Sequence, residues 1–564
     1  MGDGGTPVRA TASGPSRDAG PCCRRSGLRR APFDLNRMWD GPTSFWLLLR
    51  TAGLCSPALG GGQTRRHRPA LVHSQPASRI LMSVKRALLL STGDRYIVIG
   101  LNFVTVAAVS RVLTPEEIGI SVISLAILGI ALSAREFASS SFMIQRPVLS
   151  REDIRGTFSL MLALTAAIAA FLVVAAPALA SSFHEEKMVP YLRLVSVCLF
   201  VELVPIQVVT LMRREMAFGK VAMINVAGAA TGGAATVALA LTGFSYMSFA
   251  WAWLASSTVT GVLALALRPD FWMFKPTFKQ WRRIAAFGGY NGAIVFLYRA
   301  YEALPLLLLG RVLSPHAAAL FSRGLTVCQI PDKLILGGAM AVVLPAFSAS
   351  ARQGGDLKRS YLHAIEIITG LHWPALLAVA ALSYPVVDIA LGHQWQAVAP
   401  LVQVIALASL FTFSFELNHP VMMAMGSIRD MFVRSLIVVP VSAVVMTTAV
   451  LLAGLMGAAL SLMFIVPFQA FVSLSFVRRR LSLRWDEIAV AVRKSGVVAA
   501  LTTLGPLAMV VAGGFSFDLS LGQAIFAGSL AAAGWLVGVF VTGHPLFDEI
   551  VNAGRTFRNA VAPT

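Results

Sequence analysis

Residues 110–120 read SRVLTPEEIGI, and residues 310–320 read GRVLSPHAAAL. The shared Arg-Val-Leu-Ser/Thr-Pro follows an apolar stretch in both places, and a weaker echo pairs LTGFSYMSFA at 241–250 with LAGLMGAALS at 452–461. Similar segments at equivalent points of a chain indicate an internal duplication. The sequence therefore predicts two related halves with the same order of apolar segments.

The composition identifies the medium in which these halves fold. Of the 564 residues, 56% are hydrophobic and 13% are charged, whereas soluble domains carry about 25% charged residues. Between residues 96 and 542 we count fourteen apolar stretches that are long enough to cross the bilayer as helices. The pattern predicts an all-α polytopic membrane protein. The eighth stretch, 317–345, contains Pro331 and is expected to be kinked or broken.

The net charge of +20 has two readings, a nucleic-acid partner or a membrane with sidedness. A nucleic-acid-binding protein would gather its cations on a polar domain, and no such domain follows residue 90. Instead, 25 cations lie in the loops after even-numbered stretches and in the C-terminal tail, against three (Arg111, Lys187, Arg311) after odd-numbered ones. Lys and Arg in short loops resist translocation. We therefore expect a multi-pass protein of the cell inner membrane with both termini in the cytoplasm and no nucleic-acid partner.

Six apolar stretches separate the two copies of the repeated motif. Because six is even, the halves are parallel repeats about an axis along the membrane normal, and the last two stretches are additions to a 6+6 core. Between the halves, residues 271–287 place Phe274, Phe278, Trp281 and Ala285 on one face, which predicts an amphipathic interfacial helix.

These patterns divide the chain into five segments. They are 1–81, an extension that is disordered, an Arg-rich transit peptide or upstream of a working start at Met82; 82–267, the N-lobe with helices 1–6; 268–284, a cytoplasmic amphipathic linker; 285–477, the C-lobe with helices 7–12; and 478–564, helices 13–14 with the C-terminal tail.

Several longer motifs stand in the order and spacing of one transporter family. They are SSSFMIQRPVLSREDIRGTFSLMLAL (139–164), LLGRVLSPHAAALFSRGLTVCQIPDKLI (308–335), VLPAFS (343–348) and LGHQWQAVAPLVQVIAL (391–407). Over roughly residues 90–480 the chain resembles the polysaccharide transporter (oligosaccharide flippase) family of the multidrug/oligosaccharidyl-lipid/polysaccharide superfamily. The resemblance implies two six-helix lobes in a V around a central cavity. It also implies alternating access that carries lipid-diphosphate-linked saccharides to the outer leaflet during exopolysaccharide or lipopolysaccharide assembly, with a polysaccharide polymerase among the partners.

A diphosphate-linked substrate brings negative charge into a medium where unpaired charge is costly, so the cavity must offer cations. The candidates within or at the edge of the predicted spans are Arg299, Arg323, Lys333, Arg193 and Arg95. Arg suits forked recognition of phosphate oxygens, and Lys acts as a point charge. The alternative is structural pairing, of Arg299 with Glu302 or of Arg323 with Asp332.

Carboxylates within the spans are candidates for coupling transport to a gradient of H⁺ or Na⁺. We name Glu302, Glu416 and Glu202 for this role. In many members of the resembled family the first helix of the C-lobe carries an Arg and an Asp, where this chain has Glu302 and Pro305. This departure puts a coupling site on that helix in doubt.

Other functional classes leave different signatures. The chain lacks the Gly-x-x-x-x-Gly-Lys loop of ATP-hydrolysing proteins and the Asp-x-Asp of metal-using glycosyltransferases, so we expect no enzyme activity, catalytic residue, cofactor or metal. Two alternatives stay open, namely a membrane polysaccharide polymerase or ligase and a small-solute permease of the major facilitator class. Trp395 is expected to anchor an outer loop at the interface, and His372 to pack or hydrogen-bond.

Overall fold

The computed structural model describes residues 77–138, 143, 149–277, 279, 281–336, 347, 356–425 and 427–548. Side chains are described for these residues except 77–92, 137–138, 283–291, 294, 336, 416, 419, 424 and 428. The extension predicted for 1–81 and the C-terminal tail beyond 548 therefore fall largely outside the described residues. Every regular element in the described ranges is helical, as the composition predicted.

Six long helices form the first half. They are α1 (Ala77–Val112), α2 (Pro115–Ser133), α3 (Arg151–Phe183), α4 (Met188–Arg214), α5 (Phe218–Leu241) and α6 (Met247–Leu267), with a 3₁₀ turn at Ala134–Ala138. Helix α1 begins five residues before Met82.

The second half is more broken. Its helices are α7 (Trp281–Val312), α8 (Pro315–Pro331), α9 (Leu357–Ala381), α10 (Ser383–Leu391), α11 (Ala399–Ser409), α12 (Phe413–Ala424) and α13 (Ile428–Leu481). A π-helical turn, Asp332–Leu336, follows α8, and a 3₁₀ turn, His393–Val398, follows α10. The last two helices are α14 (Trp485–Ala512) and α15 (Leu521–Val541).

Ten helices of the described residues are long and apolar enough to cross a membrane, and a bent pair, His393–Ser409 with Phe413–Met423, makes up to eleven. Helix α13 contains two of the predicted spans. Its 54 residues are broken at Ala453 and Gly454. Two hydrogen bonds show that the parts on either side of the break fold back on each other: Arg434 Nη1 donates to Ser473 Oγ at 2.7 Å, and Arg480 Nε donates to Asp430 Oδ2 at 2.7 Å. The total of fourteen spans and the two-lobe arrangement stay predictions.

The repeated motif marks the same turn in each half. Thr114 caps α2 in a reciprocal capping box with Glu117, and Ser314 caps α8 by accepting from the Ala317 amide at 3.3 Å. The following proline occupies the first turn of each helix, where its missing N–H costs nothing. Each copy therefore ends one helix and starts the next.

The two copies of the motif also pack against each other. A Cβ on Gly119 of α2 would lie 2.0 Å from the Pro315 carbonyl oxygen at the start of α8. A Cβ on Gly310 of α7 would lie 2.4 Å from Ile123 Cδ1 of α2. The largest cluster of buried apolar side chains accordingly contains residues of both halves. Its members include Ile118 of the first half and Leu309 and Phe321 of the second.

The loops alternate between two ends of the helices, as the charge pattern predicts. At one end, which we call the repeat end, Arg311 of α7 lies 3.5 Å from His184 after α3, and Arg111 Nη2 of α1 donates to the Ile389 carbonyl of α10 at 2.5 Å. At the opposite end, Arg268 after α6 pairs with Glu215 after α4 at 2.6 Å. Loops of equal parity therefore gather at the same end.

The continuous interfacial helix predicted over 271–287 is wrong. The chain forms a 3₁₀ turn at Phe271–Phe274, leaves it at Lys275 in an extended conformation, and starts α7 at Trp281. Pro276 explains the break, since the residue before a proline is driven to extended backbone. Arg155 Nε of α3 donates to the Lys275 carbonyl at 2.8 Å, which ties this linker to the first half.

The predicted break at Pro331 is confirmed. Helix α8 ends there, and the next residues form the π turn Asp332–Leu336. Proline removes one backbone donor and crowds the preceding turn, and π turns within helices are frequent at functional sites.

Candidate functional site

The predicted cations lie in different environments. Arg95 is on α1, Arg193 on α4, Arg299 on α7, Arg323 on α8 and Lys333 on the π turn. Arg323 is buried, with 7% of its surface exposed, and the other four side chains are exposed.

Arg95 lines a cavity of about 570 Å³ between α1, α5 and α6. Arg213, at the end of α4, lines the same cavity together with Asp94, Asn225 and Ser256. The Asn225 amide donates to Asp94 Oδ2 at 3.0 Å, which holds that carboxylate on the cavity wall. Because Arg213 precedes the turn between α4 and α5, this cavity lies toward the opposite end.

The polar lining of the cavity suits an anionic group. The lining contains two arginines, Arg95 and Arg213, and one carboxylate residue, Asp94, so the ionised lining residues have a net positive charge. Guanidinium groups form forked hydrogen bonds with phosphate oxygens, and ligand cavities typically measure about 300–1,000 Å³. Sequence reasoning found Arg95 but counted Arg213 only as a sidedness cation, and Asn225 carried no signal. Only the packing of α1 against α5, at the end where α4 turns into α5, brings these side chains together.

Arg323 is part of a contact between the halves. Its guanidinium lies 5.6 Å from the centre of the Trp395 ring, and its Nε has no hydrogen-bond partner among the described residues. Trp395 is fully buried and donates from Nε1 to the Ser110 carbonyl at the end of α1, at 2.7 Å. The predicted interfacial anchor is therefore wrong, since Trp395 fills the core of the repeat end. Asp332, the partner considered for Arg323, binds His372 instead.

Arg299 and Glu302 form the structural pair that was the alternative to a binding role. Their side chains meet at 2.9 Å, one helical turn apart on α7, and both are more than half exposed. An exposed pair at this spacing contributes little to stability. Each charge is thus partly offset by the other in this conformation.

The other carboxylate candidates differ in their surroundings. Glu202 of α4 pairs with the buried Arg135 on the 3₁₀ turn after α2, at 3.0 Å. The sequence analysis counted Arg135 only as a loop cation, because its partner lies 67 residues away in the chain. The side chain of Glu416 on α12 lies outside the described residues.

One ionisable pair within the helices was not predicted as a site. His372 of α9 is fully buried, and its Nε2 is hydrogen-bonded to Asp332 Oδ1 on the π turn. The expectation that His372 hydrogen-bonds is confirmed. Within the described part of the chain, no three His, Cys, Asp or Glu side chains gather as a metal site.

Comparison with known proteins places these features in a family. A family model described as "Polysaccharide biosynthesis protein" matches residues 108–400, which is more than half of the chain. The chain belongs to this family. The matched region begins just before the first repeated motif and ends after Trp395, so it includes both copies of the motif and Trp395.

Curated relatives of this polysaccharide biosynthesis family are transport and biosynthesis proteins. The succinoglycan biosynthesis transport protein ExoT of Rhizobium meliloti (strain 1021) is 25% identical, over 59% of this chain and 66% of that protein. The lipopolysaccharide biosynthesis protein WzxC of Escherichia coli (strain K12) is 21% identical, over 56% of this chain and 64% of that protein. The chain thus spans slightly less than two thirds of the relatives' length.

Solved structures identify the fold of this family member. The lipid II flippase MurJ in an inward closed conformation matches with a TM-score of 0.64 and 10% identity, covering 84% of this chain and 100% of MurJ. An inward-facing multidrug resistance transporter of the MATE family matches with a TM-score of 0.53 and 15% identity, over 70% of this chain and 94% of that one. At these identities the likeness concerns the fold alone.

Proposed function

We propose that this protein translocates a lipid-diphosphate-linked oligosaccharide from the inner to the outer leaflet of the inner membrane, for polysaccharide export by ion-coupled alternating access. The cationic cavity around Arg95 and Arg213 carries the proposal, together with membership of the family. The partners we propose are the lipid-linked saccharide, the bilayer, H⁺ or Na⁺ as coupling ion, and a polysaccharide polymerase.

The cavity is suited to the first contact with the substrate. A diphosphate head cannot enter hydrocarbon without compensating cations, and Arg95 and Arg213 offer two near the opposite end. If both termini are cytoplasmic, as the 25-to-3 distribution of loop cations supports, this end faces the cytoplasm, where lipid-linked intermediates would be loaded. Arg323, Arg299, Lys333 and Arg193 remain candidates for later contacts along the path.

The test uses the purified protein in liposomes with a fluorescent polyprenyl-diphosphate oligosaccharide and a membrane-impermeant quencher. Translocation is measured as the rate at which the fluorescent lipid becomes protected from the quencher. We expect Arg95→Ala and Arg213→Ala each to lower this rate by roughly tenfold or more, because a hydrogen bond to a charged group is worth about 1.5–3 kcal/mol. Arg95→Lys should retain part of the rate. The matched control is Arg359→Ala, an exposed arginine at the start of α9 and outside the cavity.

Other outcomes separate the alternatives. Transport of a free sugar without movement of the lipid-linked one would support a small-solute permease. Growth of the saccharide chain without translocation would support a polymerase or ligase. Equal rates for Arg95→Ala, Arg213→Ala and Arg359→Ala would remove the cavity from the substrate path and leave the family assignment untouched.

A further inference from the structure

The pair His372 and Asp332 joins a buried histidine within α9 to a partly exposed aspartate at the end of α8. His372 is 0% exposed and is the sixteenth residue of the 25-residue α9, a helix that qualifies as a membrane span. Asp332 follows the 17 residues of α8, which at 1.5 Å per residue puts it about 25 Å from the repeat end. Ionisable groups enclosed by helices that can span a membrane are costly and usually functional.

The hydrogen bonding of the pair is incomplete. Nε2 of His372 is hydrogen-bonded to Asp332 Oδ1, but Nδ1 of the same ring is buried without a partner among the described residues. The Asp332 side chain keeps 27% of its surface exposed. The pair thus combines a buried imidazole with a partly exposed carboxylate, and the exposed side of the carboxylate is where we expect a proton to enter and leave.

The neighbouring ionisable groups are engaged elsewhere or lie on other faces. Glu366, two turns before His372 on α9, pairs with Lys494 of α14 at 3.6 Å, and His544 lies 3.1 Å from Ser495 Oγ of α14. The remaining titratable groups on α9 and on the elements that pack against it are His316, Arg323 and Cys328 on α8, Lys333 on the π turn, Lys358, Arg359, Tyr361 and His363 on α9 itself, Tyr384 and Asp388 on α10, Asp486, Glu487 and Arg493 on α14, and Glu416 and His419 on α12, whose side chains lie outside the described residues.

The position of Asp332 connects the pair to the substrate cavity. Asp332 opens the π turn, and within that turn the Leu334 carbonyl accepts a hydrogen bond from Tyr96 Oη of α1 at 3.1 Å. Tyr96 directly follows Arg95, which lines the cavity. A change in the π turn therefore reaches α1 beside the cavity through a single hydrogen bond between the two halves.

We propose that Asp332 and His372 form the proton-binding site that couples a proton gradient to transport. The inference rests on the proposed function and names its coupling ion as H⁺. With one proton shared, the ionised aspartate and protonated imidazole are together neutral; release of that proton leaves a net charge of −1 in the bundle. Because an unpaired charge is disfavoured there, loss of the proton favours a conformation in which the π turn exposes Asp332 to water more fully than the 27% seen here.

Transport under imposed gradients tests the coupling. In proteoliposomes with the wild-type protein, an inward proton gradient should drive accumulation of the lipid-linked saccharide, and a Na⁺ gradient should not. An entrapped pH dye reports the acidification of the vesicle interior. Asp332→Asn and His372→Gln should lose gradient-driven accumulation by roughly tenfold or more while retaining exchange of labelled for unlabelled substrate. Glu366→Gln, on the same helix, is the matched control and should remain coupled.

A transport-independent measurement keeps the two proposals separable. Infrared difference spectra of the purified protein between acid and neutral pH should contain a carboxyl band that disappears in Asp332→Asn and shifts in His372→Gln. If this band is found but no lipid-linked saccharide moves, the proposed function is wrong and the proton site stands. Gradient-driven accumulation by Asp332→Asn, or driving by Na⁺ in the wild type, overturns the proton site and leaves the flippase proposal intact.

Discussion

The repeat end and the cavity around Arg95 differ in how closely their helices pack. The two halves of the molecule meet at the repeat end, whereas the cavity lies among helices of the first half. At the repeat end, Gly119 lies against Pro315, and Trp395 fills the core while donating to Ser110. Toward the opposite end, the helices leave about 570 Å³ lined by Arg95 and Arg213. Close packing without voids resists gradual deformation. This conformation is therefore closed at the repeat end, and the alternating access that we propose would have to break those contacts together.

The largest effect is expected from Trp395→Ala. Removing a fully buried indole leaves a cavity, which should lower the free energy of unfolding by about 3–5 kcal/mol. The Ser110 carbonyl loses the Trp395 donor and keeps Gln394 Nε2 as a partner. Thermal unfolding in detergent measures the change. Trp251→Ala, at an exposed tryptophan of α6, is the control; an equal loss in both variants would contradict the closed repeat end.

Gly119→Ala should have a smaller effect of the same kind. The new methyl group would meet the backbone of Pro315, which cannot rotate away, so we expect a cost of about 1–3 kcal/mol. Gly129→Ala on the same helix is the control, because nothing lies within 4 Å of its Cβ position. Equal melting temperatures for the two variants would show that α2 and α8 are not in close contact.

Thiol labelling tests whether the cavity around Arg95 is open to water. In a variant without native cysteines, Ser256→Cys should react with a water-soluble maleimide at least roughly tenfold faster than Ser257→Cys, because Ser256 lines the cavity whereas Ser257 is buried. Labelling is read by mass spectrometry. Equal rates at the two neighbouring positions would mean that the cavity is closed to water.

The smallest effect is expected at Arg299. Its partner Glu302 is one turn away and both are more than half exposed, so Arg299→Ala should change stability by about 0–1 kcal/mol. If the pair is structural only, saccharide translocation should stay at the wild-type rate, measured in the liposome assay. A tenfold loss of translocation with unchanged stability would instead return Arg299 to the substrate path.

Local patterns predicted much of the fold correctly. The Thr-Pro and Ser-Pro sequences define the starts of α2 and α8, since capping and a fixed φ act within one turn. Pro331 breaks its helix as expected, whereas Pro276 was overlooked and the predicted linker helix failed there. The pairing of Arg299 with Glu302 could be predicted as an alternative from the sequence, because the two residues are three positions apart on one helix.

Contacts between distant residues explain what could not be predicted. Arg135 meets Glu202 across 67 residues, His372 meets Asp332 across 40, and Trp395 reaches Ser110 across 285. The sequence periodicity of a single helix cannot predict these pairs, because they depend on which faces of two helices pack together. For the same reason Trp395 was mistaken for an interfacial anchor.

The sequence by itself determined that this is a helical membrane protein with an internal repeat, and which of its loops share a side. Those properties follow from hydrophobic length, charge distribution and proline-based capping, all of which act locally along the chain. Only the tertiary structure decided which charges are paired, which end is closed and where the cavity lies. These properties depend on burial and on close approach between helices, and both arise only when distant segments exclude water from each other.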